Sequence, residues 1–419
     1  METAADSIET FINDIPFLSF QQRRILKEQA QDLALWGLDG KMSDIRKLWP
    51  ENYDRTSKND IRRIYSRIIA GMNEIRSEPI DYSSFRPQYD FRGRAPDIIT
   101  DFISPQTIMG RCPCPRDGEL TRCCNLKTLD AVQQCAYACA YCSIQSFYSQ
   151  NEVRILSDLE KHLENITLDK DTWHIGTGQS SDSLLLGDDY GTLSALKTFA
   201  KKHPDVIVEL KTKSARTDWI KDDIPANIIF TWSLNAKTPA EKEEHLTAPP
   251  YARIKAAKEC SQAGHLVGFH IHPMVFFKGW EREYEELVKT LTDSIDPEKT
   301  VMVGIGTLTF TKQNLKALRE SGRPTMVTQM PLSPIAGKFS YAPDTKKQLF
   351  SMLYSYFPKK WKDKVFFYLC MEDPSLWEPC LGRSYKCNAD FEADMKRSYI
   401  KKVGEAFKNK VNPYKTIKC

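Results

Sequence analysis

The chemistry in this 419-residue chain concentrates in its cysteines. There are twelve, and seven of them fall within about thirty residues: Cys112, Cys114, Cys123, Cys124, Cys135, Cys139 and Cys142. Cys135-Ala-Tyr-Ala-Cys139-Ala-Tyr-Cys142 sets three thiols at the spacing CxxxCxxC. Thiolates this close on a short irregular loop can grip one iron–sulfur cube from one side. A cubane has four irons, so three protein ligands leave one iron open to a chelating molecule. An electron-transfer cluster closed on every side takes four ligands. Zinc, whose sites are often built from paired CxxC knuckles, and plain buried thiols are the alternatives.

The remaining cysteines raise a second question. Cys112, Cys114, Cys123 and Cys124 precede the triplet, and Cys370, Cys380 and Cys387 lie near the C-terminus. An auxiliary iron–sulfur or zinc centre, reduced structural thiols and a redox-labile pair are all open. Successive side chains diverge, so Cys123 and Cys124 do not easily serve one ion together. Cys260 sits in a helix-like stretch and reads as a packing residue. Cys370 ends a strand, which fits a core position or a hydrogen donor facing a barrel mouth. His270 and His272 alternate in FHIHP, so one strand face carries both, as substrate contacts or satisfied core histidines, with a metal pair as the alternative. His174 and His245 carry no assignment.

The elements that must hold these groups read as an α/β pattern. Apolar β-rich runs recur at 171–176, 205–212, 227–234, 265–273, 300–308, 325–330 and 365–370, mostly with room for a helix between them. TLDAVQQ, just before the triplet, reads as the first strand and its exit. Strands separated by helices imply a parallel sheet with helices outside it. Six to eight such units favour a complete or partial βα barrel, whose active sites sit at the C-terminal ends of strands. No GxGxxG follows a strand and no GxxxxGK[ST] is present, which disfavours those nucleotide loops. The expected organisation is a helical region over 1–100, a barrel over 101–378 and a basic tail over 379–419. In the first, Ser57 with Asp60 fits a capping box, and an earlier helix runs from near Ser19 to Trp36. The proline-rich stretch 78–120 reads as a long connection tied down by its cysteines.

Composition sets bounds. Lysine and arginine number 59 against 55 acids, a formal charge of +4, and 41% of residues are hydrophobic. That is enough for a core and excludes wholesale disorder. No apolar run reaches 18 residues, so no transmembrane helix is expected. METAADSIETFINDI has no basic stretch ahead of an apolar run, which predicts a cytoplasmic, reduced chain rather than a secreted one. From 396 onward eight lysines and arginines face one acid, Glu405, while Phe391, Met395, Val403 and Phe407 can form an apolar stripe. A docked helix with a solvated face is the first reading, and a phosphate-backbone contact the second.

With the triplet in place, the sequence resembles the radical S-adenosylmethionine (SAM) superfamily, and within it the spore photoproduct lyase-like family, some of whose relatives are known as DNA repair photolyases. The resemblance covers roughly residues 124–375. It rests on the triplet, GTGQSSDSLLL at 176–186, LKTKS at 210–214, WSLN at 232–235, the long stretch 243–288, GKFSYAP at 337–343 and YLCMEDPSLW at 368–377. It implies a partial (β/α)6 TIM-like barrel with a [4Fe-4S] cluster on Cys135, Cys139 and Cys142. The chemistry implied is reductive cleavage of SAM to a 5′-deoxyadenosyl radical, with a flavodoxin- or ferredoxin-type electron donor. The SAM contacts implied are Tyr141 near the adenine, Gly176 and Gly178 beside the methionine group, and Ser181, Lys213 and Ser233 at the carboxylate or ribose. Asn235 reads as a ribose contact or a helix cap.

Two positions depart from the family. The cysteine that returns a hydrogen atom to the substrate radical is replaced by Gln179. The tyrosine that follows the third cluster cysteine is replaced by Ser143. The resemblance therefore implies a diverged relative, whose radical is quenched by SAM regeneration, another thiol or a different substrate. Three functions follow: a lyase-class radical SAM enzyme acting on damaged or modified DNA, one acting on a peptide or small molecule with an auxiliary metal cluster, and a non-catalytic iron–sulfur scaffold.

Overall fold

The computed structural model describes residues 4–37, 45–86, 97–102, 108–112, 121–142, 152–179, 181–221, 223–335 and 337–411. Its centre is a curled sheet of seven parallel strands. These are β1 (Lys127–Leu129), β2 (His174–Thr177), β3 (Ile207–Thr212), β4 (Ile228–Leu234), β5 (Leu266–Met274), β6 (Thr300–Thr307) and β7 (Phe366–Leu369). They lie in chain order across the sheet, and Met109–Arg111 adds an antiparallel edge outside β1. Each strand pairs in parallel with the next, the signature of right-handed βα crossovers. This is a partial TIM-like barrel with an N-terminal helical extension and a basic C-terminal helix.

The outer helices form because their apolar residues fall at helical spacing. Thr192–Lys202 buries Leu193, Leu196, Phe199 and Ala200, and Trp280–Ser294 buries Trp280, Tyr284, Leu287 and Leu291. The interior follows the strand period of two. Alternate residues of successive strands enclose a polar centre: His174 on β2, Glu209 and Lys211 on β3, Thr231 and Ser233 on β4, and His270 and His272 on β5. Space for these large groups comes from glycine on β6. A Cβ on Gly304 would stand 2.7 Å from the Tyr368 ring, and one on Gly306 would stand 2.7 Å from the His272 ring.

The two edges of the curled sheet meet at a seam. Arg122, ahead of β1, forms an antiparallel bridge to Glu372, after β7, and its N–H donates to the Glu372 carbonyl at 2.9 Å. The Arg122 guanidinium continues to the Tyr385 and Lys386 carbonyls. The helix Asn388–Val411 then packs against β6 and β7 through Phe391, Met395, Tyr399 and Val403. The apolar stripe expected in the tail is therefore its docking face. Lys402 is buried and donates to the Pro297 and Glu298 carbonyls, so it belongs to that packing rather than to a solvated face.

At the N-terminus, Ser19 closes a reciprocal capping box with Gln22, and the helix Phe20–Trp36 ends at Gly37 with φ +57°. Lys58–Ser77 starts at the Ser57 cap. Two expectations are corrected. Residues 97–102 are a strand pairing with Glu152–Leu156, not helix. Residues 325–330 are not a strand: Val327–Gln329 is a 3-10 turn. The reason is hydrogen bonding. The Thr325 N–H donates to the Leu35 carbonyl at 3.0 Å, and the Met326 N–H donates to the Glu243 carboxylate at 2.9 Å, which leaves no ladder to join. The connection after residue 78 is held at its start by a bridge between Ile80 and Phe277, and further on the Cys112 N–H donates to the Leu126 carbonyl at 2.9 Å.

The helical extension is locked to the barrel by one buried carboxylate. Asp32, fully buried, accepts from Arg76 and from the Arg319 guanidinium at 2.7 and 2.8 Å. Trp36 adds a 2.6 Å donation to the Thr328 hydroxyl. Removing Asp32 leaves two largely buried guanidinium groups facing each other. Asp32→Ala is expected to lower unfolding stability by about 3–5 kcal/mol, measured by urea denaturation of the metal-free chain. A loss no greater than that of an exposed Arg63→Ala change would remove this lock from the account.

Candidate active site

The cysteine loop is fixed by a short antiparallel pairing. Ala138–Cys139 pairs with Glu244–His245, in register Cys139 to Glu244, and the Ala140 N–H donates to the Glu243 carbonyl at 2.7 Å. Glu244 then turns its carboxylate, 3% exposed, into a knot of cations and donors. One oxygen accepts from the Tyr141 hydroxyl at 2.5 Å and Asn235 at 3.1 Å, and lies 3.1 Å from the Lys213 ammonium. The other accepts from Arg253 at 2.6 Å. Arg253, itself fully buried, also donates to the Ser233 and Ala248 carbonyls. Burial works against the Glu244 charge, but Lys213 and Arg253 outweigh it and hold the carboxyl well below its ordinary range.

Lys213 reaches from the end of β3 into the same knot. Its ammonium lies 2.6 Å from the Tyr141 oxygen and 3.8 Å from the Cys139 sulfur. Its backbone N–H donates to Asp182 at 2.7 Å, while Asp182 also accepts from Thr212 and from the Leu184 N–H. Asp182 thus splints the loop after β2 against the end of β3. Gly178 makes that loop possible: its φ is +77°, and a Cβ there would sit 2.6 Å from the Ser183 hydroxyl.

These groups line two adjoining cavities at the C-terminal ends of the strands. One, of about 160 Å³, is walled by Cys135, Cys139, Cys142, Ser181, Asp182 and Lys213. The other, of about 270 Å³, is walled by Cys112, Cys124, Cys370, Tyr368, His270 and Met371. Tyr141, Cys142, Gly178, Gln179, Ser233 and His272 line both, so they form one mouth. Burial, with Asp182 nearby, pushes the Cys135 thiol up, and burial pushes Cys139 up to about 12, with Lys213 opposing. The metal-free chain therefore holds these two as thiols.

Of the residues expected at a cofactor, Tyr141, Gly178, Ser181, Lys213 and Ser233 stand on the mouth with the three cysteines. Gly176 and Asn235 do not. Gly176 packs beneath, where a Cβ would meet Leu126 at 2.9 Å. Asn235 is fully buried, and its amide donates to Glu244 and accepts from Tyr284 and the Ala236 N–H. It is a structural node. Ser143 and Cys114 lie outside the described residues. Among the described residues no three Cys, His, Asp or Glu side chains converge as for a single metal ion.

The sequence reading missed Glu244, Arg253, Asp182 and Glu209. Glu209 accepts from His174 at 3.0 Å, His270 at 2.7 Å and Thr231 at 2.9 Å. Burial opposes its charge, and the two imidazoles prevail and keep the carboxyl well below its ordinary range. Burial, with Lys211 adding repulsion, lowers His270 to about 4, against the pull of Glu209. The only sequence signal for this group was period-two alternation in DVIVELKT and FHIHP.

A partial barrel carrying a three-cysteine loop at its strand ends defines the radical SAM class. The family model for spore photoproduct lyase matches residues 128–330. The spore photoproduct lyase of Clostridium acetobutylicum is 26% identical over 110 residues, which are 26% of this chain and 32% of that protein, so the match spans about a third of the relative's length. Among solved structures, spore photoproduct lyase complexed with dinucleoside spore photoproduct superposes with a TM-score of 0.54 at 16% identity, over 68% of this chain and 87% of that one. A double mutant of spore photoproduct lyase with bound AdoMet and dinucleoside spore photoproduct gives 0.52 at 17%, over 69% and 88%. The chain is thus similar to spore photoproduct lyase in sequence over residues 128–330, and in fold over about two thirds of its length.

The buried imidazole sets a pH signature. The unfolded chain protonates His270 near pH 6.5, while the folded chain resists down to about 4. Stability from this group is thus present above pH 6.5 and lost as pH falls below it. His270→Gln is expected to flatten that loss, by about 2 kcal/mol between pH 6.5 and 5, in urea denaturation at stepped pH. An unchanged slope would place the acid sensitivity elsewhere.

Proposed function

We propose that this protein is a radical SAM enzyme of the lyase type that binds a [4Fe-4S] cluster on Cys135, Cys139 and Cys142. The observation that carries the reading is the shared mouth. Three soft thiols, held by pairing to Glu244, line one cavity with the Lys213 cation at its wall. The donor set fits the group: three sulfur ligands suit a cluster with one iron left for another chelator.

When bound, the cluster and SAM supply a 5′-deoxyadenosyl radical by one-electron cleavage of the sulfonium S–C5′ bond. The protein's part is positional. Lys213 offers a cation to the SAM carboxylate, and Glu244 and Arg253 hold the Tyr141 ring and the cysteine loop in place. Gly178 keeps the loop after β2 close to the strand ends. Ser181 and Ser233 offer hydroxyls on the same wall. The helices outside the sheet and the docked C-terminal helix close the polar interior beneath the mouth against water.

For the substrate, we favour a damaged or modified nucleotide in DNA. The dinucleoside spore photoproduct in the structurally similar lyases supports this, as do the lysines along the C-terminal helix. Direct reversal of that same photoproduct is disfavoured by Gln179, whose side chain has no weak S–H bond and whose oxygen accepts from Lys211 at 3.1 Å. The same residue keeps a peptide or small-molecule substrate as the second reading. An electron donor of flavodoxin or ferredoxin type and a cytoplasmic setting complete the proposal.

Anaerobic reconstitution is expected to give a brown protein with about four irons per chain, lost in the C135A/C139A/C142A variant. With SAM and dithionite it is expected to release 5′-deoxyadenosine, and lesions in ultraviolet-irradiated DNA are expected to fall. Lys213→Met is expected to weaken SAM binding by about tenfold, near 1.4 kcal/mol, in equilibrium dialysis. Cluster and SAM binding without any 5′-deoxyadenosine would make the protein a scaffold instead.

A further inference from the structure

We propose that Cys370 is the thiol that returns a hydrogen atom to the substrate radical, an inference that rests on the radical reading above. Three observations carry it. The first is place. Cys370 follows β7 directly, and its N–H donates to the Ile305 carbonyl at 2.7 Å, which anchors it at the strand end. It lines the same cavity as Cys142, Gln179, Lys211 and His272. A group there shares the mouth with Cys142, the last residue of the cysteine loop.

The second observation is company. Cys112 and Cys124 line that cavity with Cys370, although they come from the opposite edge of the curled sheet. The seam bridge between Arg122 and Glu372 is what brings these segments together. Cys124 is hydrogen-bonded to Cys123, whereas Cys370 stands at the open wall beside Tyr368. Cys260 and Cys380 are buried outside this mouth, and Cys387 is exposed elsewhere.

The third is chemical form. Hydrogen-atom transfer needs an intact S–H bond, whereas nucleophilic thiols need a thiolate favoured by nearby cations. Burial, with Cys112 close by, pushes the Cys370 thiol up, and Lys211 only partly opposes this, so the S–H is kept. In the step itself, the S–H bond breaks homolytically. The hydrogen and one electron form a C–H bond at the substrate carbon, and the unpaired electron stays on sulfur. No charge moves and no further oxidant enters.

The test uses the reconstituted full chain in two arms. In unreduced protein, which cannot cleave SAM, iodoacetamide labelling of Cys370 is followed by peptide mass spectrometry, and SAM is expected to slow it several-fold. In the second arm, SAM and dithionite are added in D2O without substrate, so the exchangeable thiol carries deuterium. The 5′-deoxyadenosine formed by the wild type is expected to carry one deuterium. That formed by Cys370→Ser, checked as folded by circular dichroism, is expected to lose most of it, and C112S and C124S are expected to keep it. Label persisting in C370S, label lost in C124S or C112S instead, or labelling of Cys370 indifferent to SAM would each overturn the assignment. No 5′-deoxyadenosine from the wild type would remove the radical reading, and this inference with it.

Discussion

The site depends on one buried carboxylate. Glu244 is drawn out of water at the point where the cysteine loop, the end of β3, the end of β4 and the helix Pro250–Gln262 come together. An isolated carboxylate at that depth would be costly, and it survives as a charge only because Lys213 and Arg253 approach it from two sides. Each partner belongs to a different segment. Satisfying the one charge therefore fixes three segments relative to one another, and through the Tyr141 hydroxyl it fixes the loop that carries the thiols. Backbone pairing between Cys139 and Glu244 makes the arrangement redundant in geometry, though not in charge. Such a knot specifies one loop conformation more than it adds to stability.

The barrel interior repeats this logic one layer down. Glu209 is paired with two imidazoles and a hydroxyl rather than with a lysine, so the layer beneath the mouth is polar and built around one carboxylate. Lys211, two residues on along β3, faces the mouth, where its ammonium donates to Gln179. Strand alternation thus sets an anionic layer below a cationic one. The field this creates favours an anionic group, such as a carboxylate or phosphate, at the level of Lys211 and Lys213. Glycine at 304 and 306 is the packing complement of that polar interior, because the facing rings of Tyr368 and His272 occupy the space where β6 side chains would stand.

The sequence made the barrel legible because its strands are apolar runs separated by helix-length spacers, and β2 to β7 fall within a few residues of where the pattern puts them. The cysteine loop was legible as a candidate site because three thiols at that spacing are themselves a ligand set. What escaped was anything defined by a long-range partner. TMVTQM has the composition of a strand, but Leu35 and Glu243 take its N–H groups, and neither is near it in sequence. Glu244 is one glutamate among many until Arg253 and Lys213 are seen beside it. Asn235, read as a ribose contact or a helix cap, shows the same limit, because Glu244 and Tyr284, which hold its amide, are partners only the fold reveals.

The seam explains why cysteines scattered over the sequence matter together. In a fully closed barrel the first and last strands would pair along their length, and the cavity would be ringed by strand ends alone. Here β1 is only three residues and β7 only four, and among the described residues closure is one bridge between Arg122 and Glu372. Beside that bridge, Cys112, Cys124 and Cys370 line the open cavity. A short sheet edge that cannot complete its own pairing leaves room for side chains, and small polarizable thiols fill irregular gaps well while tolerating burial as neutral groups. The same shortness that keeps the barrel partial therefore opens its mouth and sets Cys370, kept as a thiol by burial, in one cavity with Cys142 of the cysteine loop.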